Sequence, residues 1–261
     1  MISCIAISIF KDFTIANQTH CFVKNFLPSI SATISNFHPQ IALWRLLIGI
    51  DSFPRYLIAF IYYKNYYALK KDRVKYVYLY RVIVKAAFFF HFIELTSLLL
   101  LTYVSSTEIF SVHKLSFISF LASSTVYMFL TLLTHFWPER AFKTNHELLN
   151  LNTNLFKEYN DASVSFKDFK SRQLKLGTLI VYILCMIISL YFYIRHNLFC
   201  EAYIYSFFAF FEYAIVLTNI CYHSIIFHDM ELFKKKYKIG MFEKICKINN
   251  DWSWNKWLLR I

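Results

Sequence analysis

Residues 174–194 read "LKLGTLIVYILCMIISLYFYI", an apolar run that contains one charged side chain, Lys175. A helix of about 20 largely apolar residues is long enough to cross the hydrocarbon core of a bilayer. Four more runs of similar length lie at residues 41–63, 82–104, 115–137 and 202–224. We therefore expect an all-α polytopic membrane protein, built as a bundle of five clear transmembrane helices.

The composition of the chain favours the same class. Of its 261 residues, 57% are hydrophobic and 17% are charged, whereas soluble domains are about 45–50% apolar and about 25% charged. The formal net charge of +12 would indicate nucleic-acid binding only if the basic residues formed a face on a soluble domain. We expect no nucleic-acid partner.

The first residues, "MISCIAISIFKDFTIA", are apolar but short, and Lys11 and Asp12 interrupt them. A signal sequence is the alternative, but no cleavage site of the A-x-A type follows a long apolar core. We interpret residues 1–16 as a partial first transmembrane span, either native or shortened by a truncated gene model.

The distribution of lysine and arginine predicts the orientation of the bundle. Loops 64–81 and 138–173 and the tail 229–261 are rich in these residues, whereas the opposite side has only Lys24, Lys114 and Arg195. Cytoplasmic segments carry the excess of positive residues. The loops and the tail should therefore be cytosolic, and residues 17–40 form a luminal segment on the transmembrane bundle of residues 41–228.

On the predicted luminal side, the stretch "YIRHNLFCEA" at 193–202 joins the last two spans. Cys21 and Cys200 are the two cysteines on this side, and the secretory lumen is oxidising. A disulfide between them is a candidate that spacing alone does not establish. The luminal segment could then be a lid over the helix ends or a packed plug with no ligand beneath it.

The turn also contains a candidate catalytic pair. His196 and Glu201 have the H-x4-E spacing, which resembles the H-x4-D pair of glycerolipid acyltransferases, where histidine takes a hydroxyl proton and the acid orients the imidazole. Arg195, Asn197 and Arg45 are candidates for binding a lipid head group. The alternative is a turn that only caps two helices.

No metal or cofactor is expected from the sequence. His20, Cys21, His196 and Cys200 could be imagined as a luminal metal site, but a disulfide would consume both thiolates. The motifs of serine hydrolases, P-loop proteins and zinc proteases are absent.

Ionisable residues inside the predicted spans usually face the bundle interior and have partners, because they are costly in lipid. They include Asp51, Arg55, His91, Glu94 and Glu212. We predict an intramembrane polar network made of these five residues. It could hold helices together, contact a ligand, or serve a channel or proton-coupled transporter.

Several stretches resemble a known family. They are "HCFVKNFLPSISATI", "WRLLIGIDSFPRYLIAF", "LLTYVSSTEIFSVH", "FLASSTVYM" and "YIRHNLFCEAYIYSFFAFFEYAIVLTN", in this order between residues 18 and 223. Together they resemble the post-GPI-attachment-to-proteins factor two proteins, within the larger family of FGF-receptor-activating-protein, DRAM and Sfk-type membrane proteins. The cytosolic loop and the tail match poorly.

The resemblance implies a multi-pass protein of the Golgi, with some presence in the endoplasmic reticulum. It implies a role in remodelling glycosylphosphatidylinositol (GPI) anchors, in which a lyso-GPI lipid regains a saturated fatty acid at sn-2. GPI lipids or GPI-anchored proteins are the implied partners, with an acyl-CoA or a phospholipid as the acyl donor. The alternative is a non-catalytic subunit that binds or presents the lipid to the enzyme.

Overall fold

The computed structural model describes residues 2–35, 37–67, 76–137 and 155–237, and within these ranges the chain forms helices and no strand. Three short helices come first: α1 (Ile2–Lys11), α2 (Phe13–Ala16) and α3 (Ile30–Ile34). Five long helices follow: α4 (Gln40–Tyr67), α5 (Val77–Tyr103), α6 (Phe110–Phe136), α7 (Leu155–Phe199) and α8 (Ile204–Tyr237).

The five long helices are each long and apolar enough to cross a membrane, which confirms the predicted all-α polytopic fold. In α7 and α8 the apolar stretches are Phe169–Phe199 and Ile204–Ile225, so both helices continue beyond the lipid-sized part. The predicted cytosolic loop 138–173 is thus helical from Leu155 onward. Residues 68–75, 138–154 and most of the predicted tail lie outside the described residues.

The bundle is held by antiparallel neighbours. Helix α7 packs mainly on α8, α5 packs on α6, and α4 packs on α5. The interior is rich in buried tyrosine, and Tyr222 donates a hydrogen bond to the Met128 carbonyl oxygen at 2.8 Å. Large apolar side chains such as Phe53, Leu57 and Leu190 point outward. Apolar side chains on the outer surface, with polar groups bonded to one another inside, are what a protein surrounded by lipid requires.

Helix α1 ends at Lys11, and Asp12 separates it from the single turn of α2. It packs against α3 and α4, where Cys4 is fully buried beside Ile30 and Trp44. The Ser8 hydroxyl donates a 2.6 Å hydrogen bond to the Thr33 carbonyl oxygen. The predicted partial first span is therefore a ten-residue helix docked on the bundle.

Residues 17–35, which belong to the predicted luminal segment 17–40, fold across the end of α7 and the start of α8. A disulfide joins Cys21 to Cys200, with their Cα atoms 5.3 Å apart, so the candidate bond of the sequence analysis is present. The Ser206 hydroxyl oxygen accepts hydrogen bonds from the Phe26 and Leu27 backbone amides at 2.8 and 3.1 Å. The segment is thus tied to the bundle at more than one point.

The disulfide gives a direct prediction. Cys200→Ser should release the start of the luminal segment and increase its cleavage by an added protease, because removing a native disulfide typically costs about 2–5 kcal/mol. Cys221→Ser, which changes a free and exposed cysteine of α8, is the matched control and should leave the cleavage rate unchanged. Equal cleavage rates in the two variants would contradict the prediction.

Candidate functional site

The last turns of α7 position a charged cluster at the predicted luminal rim. The Arg195 Nε atom lies 2.8 Å from Glu201 Oε2, and its Nη2 donates to Glu201 Oε1 at 3.1 Å. Its Nη1 donates to the Tyr191 hydroxyl oxygen at 3.0 Å, one helical turn earlier. Bidentate pairing of this kind fixes the plane of the guanidinium group.

A surface groove runs beside this cluster. Its lining combines polar Tyr191, Arg195 and Glu201 with apolar Ile194, Leu198 and Phe199. We call it the Arg195 groove. A charged end next to apolar walls is the arrangement that suits a phospholipid, whose phosphate is anionic and whose chains are apolar.

His196 points away from the groove into the protein. Its side chain is only 1% exposed, and both ring nitrogens lack a hydrogen-bond partner. The ring lies 5.0 Å from that of Tyr205 and 5.4 Å from that of His20, measured between centroids. Glu201 therefore binds Arg195 in this structure, and no hydrogen bond joins it to the His196 ring.

The other two predicted head-group residues have separate partners. Asn197 donates to the Tyr193 carbonyl oxygen at 2.8 Å. Arg45, on α4, donates to the Tyr103 carbonyl oxygen at 2.9 Å and pairs with Glu108 at 3.1 Å. The described contacts do not bring Arg45 to Arg195, so the predicted set does not form a single cluster.

Glu108 gives a pH-dependent prediction. The Ser105 backbone amide and then the Arg45 side chain hydrogen-bond its carboxylate and lower the pKa of Glu108. A carboxyl group with a lowered folded-state pKa stabilises the fold above its unfolded pKa, and that contribution is lost as pH falls through the folded value. The difference in melting temperature between wild type and Glu108→Gln should be present at pH 7 and should shrink below about pH 4.3. Melting curves over this range check it, and a difference that grows on acidification would contradict it.

A second cluster lies inside the bundle, and we call it the buried polar centre: Arg55, Glu94, Asn219 and His223. Glu94 is fully buried, and its Oε1 accepts from Asn219 Nδ2 at 2.8 Å and from His223 Nε2 at 2.9 Å. Arg55 Nη2 lies 3.5 Å from the same oxygen. Asn219 Nδ2 also donates to the Ser124 hydroxyl oxygen at 2.8 Å, which joins four of the spanning helices.

Two further residues of the predicted network lie at the edge of this centre. The Asp51 Oδ2 atom lies 3.8 Å from Arg55 Nη1, and the Asp51 side chain is largely exposed. His91 is buried, and its ring stacks on those of Tyr127 and His223 at 4.2 and 5.0 Å between centroids. Four of the five predicted residues are thus close together.

Glu212 lies apart from the buried polar centre. It is buried, but its Oε2 accepts the backbone amide of Ile30 at 3.1 Å, at the start of α3. This amide belongs to the first residue of α3, and a carboxylate is favoured at the N-terminus of a helix. Glu212 therefore fastens the luminal segment to α8.

Several residues of these sites carried no signal in the sequence analysis. Tyr191, Glu108, Tyr205 and Ser124 are common residue types whose roles depend on contacts between helices. One local signal was available, because Tyr191 and Arg195 are four residues apart on one helical face.

The sequence profile of the Frag1/DRAM/Sfk1/Cwh43P N-terminal domain matches residues 1–233. The chain belongs to this family. Acyltransferase PGAP2 of Xenopus tropicalis is 34% identical over 226 residues, covering 87% of this chain and 80% of the relative.

Two other relatives show the same extent of similarity. Post-GPI attachment to proteins factor 2 of Caenorhabditis elegans is 32% identical, over 88% of this chain and 79% of its own. Its Drosophila melanogaster namesake is 31% identical, over 87% of this chain and 78% of its own. No solved structure matches the chain.

Proposed function

We propose that this protein remodels the lipid of GPI anchors, as an acyltransferase that restores a saturated fatty acid at sn-2 of a lyso-GPI lipid. The names of its relatives, one an acyltransferase and the others post-GPI attachment factors, support this role. The proposed location is the Golgi membrane, with some presence in the endoplasmic reticulum, because the glycan and the anchored protein are luminal.

The observation that carries the proposal is the pairing of a buried, unpartnered imidazole with an ion pair on an amphipathic groove. His196 has two free nitrogens, and Arg195 and Glu201 form the polar end of the Arg195 groove. Transfer to a lipid hydroxyl needs a base, an orienting acid and a site for the phosphate. These three residues supply one group for each role.

The Arg195–Glu201 ion pair indicates how a bound lipid would activate the site. A lipid phosphate that binds Arg195 takes the place of Glu201, because both are oxyanions that fit the same guanidinium fork. Glu201 is then free to accept a hydrogen bond from the His196 ring, five residues earlier in the chain. The His196 ring points away from the Arg195 groove in the structure, so it becomes a competent base only when lipid binding also turns the ring toward the groove.

The bonds of the reaction follow from these roles. His196 takes the proton of the sn-2 hydroxyl, and the oxygen attacks the carbonyl carbon of the acyl donor. The new ester bond forms as the bond to the thiolate or alkoxide of the donor breaks. The imidazolium returns its proton to that leaving group, so no other reactant is consumed.

Reconstitution tests the proposal. The purified full chain in liposomes should convert lyso-GPI to GPI when given an acyl-CoA or a phospholipid with an isotope-labelled saturated chain. Mass spectrometry should find the label at sn-2. Liposomes without protein are the control. Absence of product with both donors would overturn the acyltransferase assignment.

One observation favours a second candidate, a non-catalytic subunit that binds the lipid. The luminal segment covers His196, and both candidate arginines already pair with carboxylates. For this candidate, the chain alone would bind lyso-GPI without turnover, and product would form only after a second membrane protein is added. Turnover by the chain alone would exclude it.

A further inference from the structure

Two groups of histidine, cysteine and acidic residues among the described residues have the spacing that a metal ion needs. The first, His20 with Cys21 and Cys200, is disqualified because its cysteines form the disulfide. The second consists of His91, Glu94 and His223, next to Arg55 and Asn219 in the bundle interior. None of its members serves the proposed acyl transfer.

We propose that His91, Glu94 and His223 form a site for a divalent first-row transition metal, with zinc as its best-fitting ion. Two imidazole nitrogens and one carboxylate are the ligand set of many catalytic zinc sites. Such a set leaves one coordination position for water or another ligand.

The geometry brings the donor atoms together before any ion binds. One ligand atom from each residue lies within 4.8 Å of the others. In a tetrahedral zinc site with bonds of about 2.0–2.1 Å, two ligand atoms are about 3.4 Å apart. The His223 Nε2 and Glu94 Oε1 atoms are 2.9 Å apart, and side-chain rotations that shorten the longest separation by at most about 1.4 Å close the set.

Unpartnered atoms are the second, independent observation. Glu94 Oε2 and His91 Nε2 are buried and have no hydrogen-bond partner, although their residues are 0% and 2% exposed. Buried polar atoms without partners are costly, and most such atoms in proteins are satisfied. A metal ion bound to both would satisfy them in one step.

The charges around the site also favour a cation. Arg55 is shared between two carboxylates, those of Asp51 at 3.8 Å and Glu94 at 3.5 Å. One negative charge therefore remains uncompensated when the two imidazoles are neutral. In a medium of low dielectric constant that charge is costly, and a divalent ion would outweigh it. Arg55, Asn219 and His223 all contact Glu94 Oε1 and leave Oε2 open to the ion. When the metal binds, His223 Nε2 exchanges its hydrogen bond to Oε1 for a bond to the ion.

Metal analysis of the purified full chain tests the site. The protein should be prepared with an affinity tag that has no histidine, because an oligohistidine tag binds the same ions. After gel filtration, wild type should hold about one equivalent of zinc per chain. His91→Ala and His223→Ala should each hold less than about a tenth of an equivalent.

His113→Ala is the matched control, because His113 is a buried histidine of α6 that binds the Val104 carbonyl oxygen and Ser31 instead. It should retain the metal of wild type.

A measurement on wild type alone covers the case in which the ligand variants do not fold. Co²⁺ added after chelator treatment should give the visible absorption bands of a low-symmetry site. Wild type without metal and without these bands, or ligand variants with wild-type metal content, would overturn the proposal. The readouts do not involve acyl transfer, so they are independent of the proposed function.

Discussion

Replacing His196 by asparagine is expected to reduce transfer of a fatty acyl chain to lyso-GPI by about 10²–10⁴-fold, the usual contribution of a general base. Asparagine keeps a polar side chain of similar size at a position that is 1% exposed. The fold should therefore persist while the proton acceptor is lost. Chain composition at sn-2, measured by mass spectrometry on GPI-anchored proteins from cells lacking the endogenous gene, reports the effect.

A second buried histidine supplies the control for this prediction. His113→Asn removes hydrogen bonds to Val104 and Ser31 but no group of the proposed reaction. Its activity per folded molecule should equal that of wild type. A His196→Asn protein that gives wild-type chain composition at normal abundance would remove His196 from the mechanism.

Substitutions in the Arg195–Glu201 pair should separate an effect on lipid binding from an effect on catalysis. Arg195→Leu should raise KM for lyso-GPI, because the phosphate loses its partner, whereas Glu201→Gln should lower kcat with little change in KM. A purely structural ion pair would instead give the same loss of folded protein in both variants. Steady-state kinetics in liposomes at several lipid concentrations distinguish these outcomes.

The sequence predicted the five spans because lipid imposes a simple condition on each helix, length together with apolarity. The spacing of His91 and Glu94 also predicts that they share a face, because residues three apart on a helix are neighbours. Local periodicity does not say which helices pack together. That Asn219 and His223 of α8 meet Glu94 of α5 depends on tertiary packing, and no sequence spacing encodes it.

Glu201 and Glu212 each bind a partner that the sequence did not predict, because their partners also depend on tertiary packing. Glu201, which was predicted to orient His196, binds Arg195 in the structure, because a bidentate bond to a permanent cation is stronger than one to a neutral imidazole. Its orienting role stays a prediction for the lipid-bound state. Glu212 was predicted to join the intramembrane polar network because it lies inside a predicted span. It binds the Ile30 amide instead, because the first residue of α3 packs against α8.

Arg55→Leu is expected to lower the free energy of unfolding by about 3–5 kcal/mol, the range measured when one partner of a buried ion pair is removed. The Arg55 side chain is 12% exposed, and Glu94 is fully buried. Without Arg55, the Glu94 carboxylate of chelator-treated protein keeps only its hydrogen bonds to neutral Asn219 and to His223. Leucine replaces part of the lost volume, so most of the loss comes from the uncompensated charge.

Arg45→Leu is the matched control for this variant, because Arg45 lies on the same helix and also pairs with a carboxylate. Its side chain is 29% exposed and that of its partner, Glu108, is 51% exposed. Exposed pairs contribute about 0–1 kcal/mol, so its effect on unfolding should be several-fold smaller. Unfolding of both variants in mixed detergent micelles, followed by circular dichroism, measures the difference. Equal losses in the two variants would show that the buried polar centre contributes no more than a surface contact, because burial is the main property that distinguishes the two pairs.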